Sequence, residues 1–131
     1  MKALGRHLVV ELYGCDVKIL NNAKRLEKIM VRATLKAKAT IIDVVFHTFN
    51  PHGISGLIVI AESHLAIHTW PEYAFASVDI YTCGDTVDPW KACEYLAKAL
   101  KAKNTSALEM KRGTLDIAGS DLPHKPKLTP K

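Results

Sequence analysis

The sequence predicts an α+β protein: a two-layer sandwich, a mostly antiparallel sheet with two helices packed on one face. Three observations lead there. Segments rich in β-branched and aromatic residues recur along the chain. Only two segments carry the apolar spacing of an amphipathic helix. Between those helices four strand-like segments follow one another as a meander, giving the order β-α-β-β-β-β-α-β.

Each element has its own signal. "GRHLVVELYGC" (5–15) reads as a strand running into a glycine. "NNAKRLEKIMVRATLKAKA" (21–39) reads as a helix, with Leu26, Ile29, Met30, Ala33 and Ala37 on one face and an asparagine to cap its start. "TIIDVVFHTF" (40–49) is a strand, and "NPHG" (50–53) is loop chemistry. "ISGLIVIA" (54–61) is apolar enough to be buried on nearly both faces. "HLAIHTW" (64–70) alternates, with Leu65 and Ile67 on one side and His64, Ala66 and His68 on the other. Pro71 breaks that strand because it cannot donate to a ladder. "FASVDIYTC" (75–83) is the next strand. Asp88 then caps a second helix with Pro89 at its first position, and Trp90, Cys93, Leu96, Ala97 and Leu100 form its apolar stripe. "SALEMKR" (106–112) is the last strand. From Gly113 onward the periodicity is lost, and the end of the tail is expected to be mobile.

Length and composition narrow the function. The 131 residues suit a single domain, 1–131, large enough to form a core without staples. A large active-site cavity would consume much of that core. A wall borrowed from a second subunit would restore it, so an oligomer is expected. The net charge of +5 hints at an anionic partner, but Lys and Arg fall in 18–38 and 91–112 among acids, and in the tail. Solvated helix faces account for that pattern better than nucleic acid does. No stretch approaches the roughly 20 apolar residues that span a bilayer. Cys15, Cys83 and Cys93 are odd in number and lack a CxxC spacing, which points to reduced thiols in the cytoplasm. His47 and His64 lie on strands without a complementary ligand pair, so no metal is expected.

The segment "AESHLAIHTWPEY" (61–73) carries the chemistry. Ser63 falls between two strands, in a tight hairpin turn that can hold a strained peptide bond. Attack of its hydroxyl on the Glu62 carbonyl carbon would convert the peptide to an ester. Loss of the Cα proton would expel that ester, and the dehydroalanine left behind would hydrolyse to a pyruvoyl group and ammonia. His68, placed on a facing strand, is the candidate base. By residue type alone, a turn serine and a structural strand histidine are the ordinary readings.

The longer context decides between these readings. "ISGLIVIAESHLAIHTWPEY" and "YTCG", with "LGRHLVVELYGC", "KATIIDVVFHTF" and "DPWKA", resemble the bacterial and archaeal S-adenosylmethionine decarboxylases, a pyruvoyl-dependent family. The resemblance covers residues 4–112. It implies that Ser63 becomes the pyruvoyl group, that His68 serves self-cleavage between Glu62 and Ser63, and that Cys83 is the catalytic proton donor. It further implies a β chain (1–62) and an α chain (63–131), and a dimer of such cleaved protomers with active sites near the subunit interface. Ser55 is expected to help processing or to position the new carbonyl.

The implied reaction explains these residue types. The substrate amine condenses with the pyruvoyl ketone as a Schiff base, which takes up the electron pair left by carbon dioxide, as pyridoxal phosphate does elsewhere. A positioned acid must then reprotonate the α-carbon. A thiol with an unperturbed pKa near 8.5 is mostly protonated at neutral pH. By composition alone, Cys83 would read as a small buried apolar residue, as Cys93 does. Phe49 and Trp70, at the ends of neighbouring predicted strands, match aromatic positions of the family. They suit an adenine ring and a sulfonium cation, the latter worth ~1–2 kcal/mol when desolvated. Glu72 is placed to accept hydrogen bonds from ribose hydroxyls. Two rivals remain. A pyruvoyl-dependent decarboxylase of arginine or another basic amino acid would share the processing motif. A basic RNA-binding module would leave Ser63 inert.

Overall fold

The structure, a computed structural model, describes residues 2–115 and Leu128. Strand β1 (Lys2–Tyr13) ends at Gly14, whose φ of +67 is open to glycine without strain. A short helix α1 (Val17–Leu20) follows, absent from the sequence expectation. Its Asp16 cap accepts hydrogen bonds from the N–H groups of Lys18 and Ile19, and it buries Ile19 and Leu20. Four residues are too few to display a period. Helix α2 (Ala23–Lys36) starts after Asn22, whose side chain accepts from the Arg25 N–H. It stops short of residue 39 because Lys38 turns left-handed, with φ +65. Its five predicted face residues are all buried.

Strands β2 (Ile41–Thr48), β3 (Ile54–Ile60) and β4 (Ser63–Trp70) then run as successive antiparallel hairpins. A 3-10 turn at Pro71–Tyr73 leads to β5 (Phe75–Cys83). Asp88 caps helix α3 (Pro89–Ala99) by accepting from the Trp90 N–H. The last strand, β6 (Asn104–Leu115), is longer at both ends than the predicted 106–112. It pairs with β1 from Tyr13↔Asn104 to Lys2↔Leu115, so its partner sets its length and not its own apolar pattern. Residues 113–115 thus belong to this strand and not to the aperiodic tail expected from Gly113, and what was expected of the rest of the tail concerns residues outside those described.

The strands form one six-stranded sheet in the order β2-β3-β4-β5-β1-β6, antiparallel throughout. Helices α2 and α3 pack on each other and on one face of it. Leu8, Leu12, Leu65, Ile67 and Ile80 from the sheet meet Leu26, Met30 and Leu96 from the helices, all essentially inaccessible. Each such side chain contributes about 1.5–3 kcal/mol on burial. At the rim, Glu109 on β6 accepts from Arg6 on β1 and from the Trp90 indole, both at 2.8 Å. The Arg6 hydrogen bond, then that of Trp90, holds the Glu109 carboxyl below the usual carboxylate range. Trp90 is thus a rim residue, 37% exposed, and not part of the α3 core stripe.

Among the described residues, no helix covers the opposite face. Strand alternation therefore leaves β3 buried on one face only, with Leu57 38% exposed, contrary to its apolar appearance. Val45, Leu57, Leu108 and Met110 lie exposed on this open face. Between them the same alternation sets His7, Ser55, His64, His68, Asp79 and Tyr81.

Candidate active site

Ala61 and Glu62 alone make the turn between β3 and β4. Thr40, just before β2, ties that turn down. Its carbonyl accepts from the Ala61 N–H at 2.9 Å, and its own N–H donates to Glu62 Oε1 at 3.1 Å. Ser63 is not in the turn itself but is the first residue of β4, paired with Ile60 and with Thr82. It has φ +140, a region that side chains with a Cβ rarely enter. Such a residue stores about 1–3 kcal/mol and persists only where its surroundings hold it. The Glu62 carbonyl, half of the peptide bond before Ser63, accepts from the Cys83 N–H at 2.7 Å. A donor fixed on a carbonyl oxygen stabilises the negative charge that develops there under nucleophilic attack.

His64 stands beside Ser63. Its Nδ1 lies 3.3 Å from the Ser63 hydroxyl. Burial lowers the His64 pKa and His7 lowers it further, while the Asp79 carboxylate works in the other direction. The neutral ring can accept the hydroxyl proton. Sequence reasoning gave His64 no role, although its adjacency to Ser63 was a signal.

Cys83 closes β5 and pairs with Gly5 on β1. A Cβ on Gly5 would stand 2.9 Å from Cys83 Sγ and 2.7 Å from the Tyr81 ring, so the missing side chain makes room for the thiol. Cys83 as a whole is 8% exposed. Cys15 and Cys93 fit the packing role read for Cys93. Burial pushes the Cys15 thiol up to about 11, and burial, then Glu94, raises Cys93.

His68 is elsewhere. It lies on the same strand as Ser63, not on a facing one, and five residues of extended chain span roughly 16 Å. Its Nδ1 is 2.7 Å from the Ser55 hydroxyl across the β3–β4 ladder. Together they line a cleft of about 310 Å³ with Phe49, Trp70, Glu72 and His52. Phe49 and Trp70 are on β2 and β4 sides of this cleft and not on neighbouring strands, since β3 runs between them. Both rings are open to solvent, 48% and 40% exposed. His52, which the sequence did not single out, sits 3.2 Å from the Glu72 carboxylate. The structure thus brings the predicted residues together in two groups, Glu62–Ser63–Cys83 at one end of the sheet and Ser55–His68–Phe49–Trp70–Glu72 at the other.

A third cluster joins the first group on the open face. His7 Nε2 pairs with Asp79 at 2.9 Å, Arg112 donates toward His7 Nδ1 at 3.0 Å, and the Arg112 guanidinium lies 5.1 Å from the centre of the Tyr81 ring. Among the described residues, no three His, Cys, Asp or Glu side chains converge as a metal site requires.

Comparisons with known proteins bear on the family and the fold. The family described as S-adenosylmethionine decarboxylase matches residues 6–113. The chain belongs to the S-adenosylmethionine decarboxylase family. An S-adenosylmethionine decarboxylase proenzyme from Carboxydothermus hydrogenoformans is 60% identical over 115 residues, covering 88% of this chain and 91% of that protein. The proenzyme of the same name from Thermotoga petrophila is 54% identical over 127 residues, covering 95% and 98%. The solved adenosylmethionine decarboxylase of Aquifex aeolicus superposes with a TM-score of 0.84 at 33% identity, covering 92% of this chain and 100% of that one. The fold of this family is therefore the fold described above, helices on one face of an antiparallel sheet. No helix among the described residues is long and apolar enough to cross a membrane.

Proposed function

We propose that this member of the S-adenosylmethionine decarboxylase family cuts itself between Glu62 and Ser63 and then decarboxylates S-adenosylmethionine, producing the aminopropyl donor for spermidine synthesis. One observation carries the self-cleavage. A serine held at φ +140 follows a carbonyl already polarised by the Cys83 N–H at 2.7 Å. These residues fit the formation of a pyruvoyl group at position 63, because the nucleophile is the residue that directly follows the polarised carbonyl. His68, the processing histidine, reaches this point from the second protomer. The products are a β chain, 1–62, and an α chain, 63–131, of one domain. Once formed, the pyruvoyl group supplies an electron sink for the pair left when carbon dioxide departs.

The chain's own residues do the rest. Cys83, across the ladder from Gly5, holds the proton that returns to the substrate α-carbon. Phe49 and Trp70 offer ring faces to the adenine and the sulfonium. Glu72 offers a carboxylate to the ribose hydroxyls, with His52 beside it. This cleft and Ser63 lie too far apart in one protomer to act on one substrate. We infer a dimer in which two open faces pack together, so that the His68 end of one sheet meets the Ser63 end of the other. Two-fold symmetry builds both sites with a single packing. The exposed Val45, Leu57, Leu108 and Met110 suit such an interface. A cytoplasmic home suits the need for a reduced Cys83 thiol.

Intact mass tests the reading. Purified protein is expected as two fragments, with no 14.5 kDa chain in the fully active fraction and the larger fragment blocked to N-terminal sequencing. It should release labelled carbon dioxide from S-adenosylmethionine and not from arginine. An active, uncut chain would overturn the reading. Cys83→Ala is expected to cleave normally yet to lose ~100-fold or more in turnover, the usual contribution of a positioned acid. Wild-type turnover in that variant would remove Cys83 as the donor.

A further inference from the structure

Thr82 stands directly across the β4–β5 ladder from Ser63 and immediately before Cys83. Thr82 is 1% exposed, and its hydroxyl is buried without a hydrogen-bond partner. Among the described residues it is the one buried side-chain polar atom in that condition. Folding strips a hydroxyl of water at a cost that a partner normally offsets. Valine has nearly the same shape and would incur no such cost, so packing alone does not account for a threonine here. Thr34 and Thr69, the other buried threonines, both donate to backbone carbonyls.

The position gives the hydroxyl a task. Two consecutive residues of β5 bracket the scissile peptide. Cys83 holds the Glu62 carbonyl through its N–H, and Thr82 faces Ser63, whose backbone is strained. We propose that Thr82 is a positioning residue for self-cleavage, its hydroxyl finding a partner only as the Glu62–Ser63 peptide rearranges. In that step a bond forms between Ser63 Oγ and the Glu62 carbonyl carbon. The bond from that carbon to the Ser63 nitrogen breaks, and the hydroxyl proton ends on that nitrogen. Ser63 then leaves the backbone state that its amide enforced, and groups across the ladder move relative to it. A hydrogen bond absent from the starting chain and present on the way to the ester lowers the barrier in full, since the ground state gains nothing from it. The proposal rests on Ser63 being the cleaved residue.

The test follows the disappearance of the uncut chain in freshly refolded protein, by intact mass, with melting temperature measured in parallel. Thr82→Val is expected to cleave ~10- to 100-fold more slowly than wild type, less than the roughly 100- to 1,000-fold lost when a donor that touches the reacting carbonyl itself is removed. It should melt at the same temperature or higher, because an unsatisfied hydroxyl has gone. Thr82→Ser is expected within about threefold of the wild-type rate, allowing for slightly looser packing. Should the valine variant fold poorly, Thr82→Ser and Thr82→Ala still differ by the hydroxyl alone, and the serine form must cleave faster. Equal rates in either pair overturn the role of the hydroxyl while leaving Ser63 processing intact. A wild-type chain that stays whole overturns both.

Discussion

Ser63→Ala is expected to remain a single 14.5 kDa chain with no decarboxylase activity, a loss on the order of 10⁶-fold or more. The substitution removes one oxygen and leaves the rest of the turn in place. Thr40 still ties down Ala61 and Glu62, and the Cys83 N–H still holds the Glu62 carbonyl. Alanine is as uncomfortable as serine at φ +140, so the strain persists. What disappears is the nucleophile, and with it the precursor of the keto group. Magnitudes show why the hydroxyl decides. Strain of ~1–3 kcal/mol accelerates the acyl shift by only about 5- to 160-fold. A hydroxyl poised next to the carbonyl supplies an effective concentration of about 10⁵ M or more. Ser63→Gly separates the two effects. Glycine enters this backbone region freely, so that variant should also stay uncut but be more stable than Ser63→Ala by about 1–3 kcal/mol. Chemical denaturation measures the difference. A cut or active Ser63→Ala protein would end the account of residue 63.

Much of this was legible from residue types and spacing. Helix α2 showed its buried face through Leu26, Ile29, Met30, Ala33 and Ala37, and Asp88–Pro89 marked the start of α3. Strand β5 was bounded correctly at both ends, by the aromatic start of "FASVDIYTC" and by Gly84. Local signals fixed these elements because local chemistry forms them. The misses are where distant chain takes over. Helix α1 is too short for any period, and β6 takes its length from β1. The cluster of His7, Asp79 and Arg112 joins residues 72 and 105 positions apart, and only the ladder order β5-β1-β6 assembles it. Within the site, the motif made His68 look like a neighbour of Ser63 because the two are close in sequence. An extended strand makes five residues a long distance. The family resemblance singled out Ser55, Ser63, His68 and Cys83 and implied active sites near a subunit interface. It did not say that one strand holds Ser63 and His68 apart.

That separation sets up the second large effect. Ser63→Ala and His68→Ala, each made alone, are expected to be uncut and inactive. Co-expressed from one cell, they are expected to recover about one quarter of wild-type sites. The arithmetic follows from two-fold symmetry. Random pairing makes half of the dimers mixed, and each mixed dimer holds one site that draws native Ser63 from one chain and native His68 from the other. The second site of that dimer carries both substitutions and stays silent. If Ser63 and His68 acted from the same chain, mixing would restore nothing, since no chain in the mixture carries both. A control fixes the interpretation. Ser63 and Cys83 lie at the same end of one protomer, joined through the Glu62 carbonyl. Ser63→Ala with Cys83→Ala should therefore give no gain in turnover, because every mixed site lacks one of the pair. Recovery in the first mixture and none in the second requires His68 to reach across the dimer. Mass spectrometry of the first mixture adds a further check. Only the His68→Ala chain retains a serine at 63, so only that chain should be cut, and it should be cut only in mixed dimers. A mixture with verified mixed dimers and no cleavage would place the processing base within the chain, where His64 already lies 3.3 Å from the serine hydroxyl.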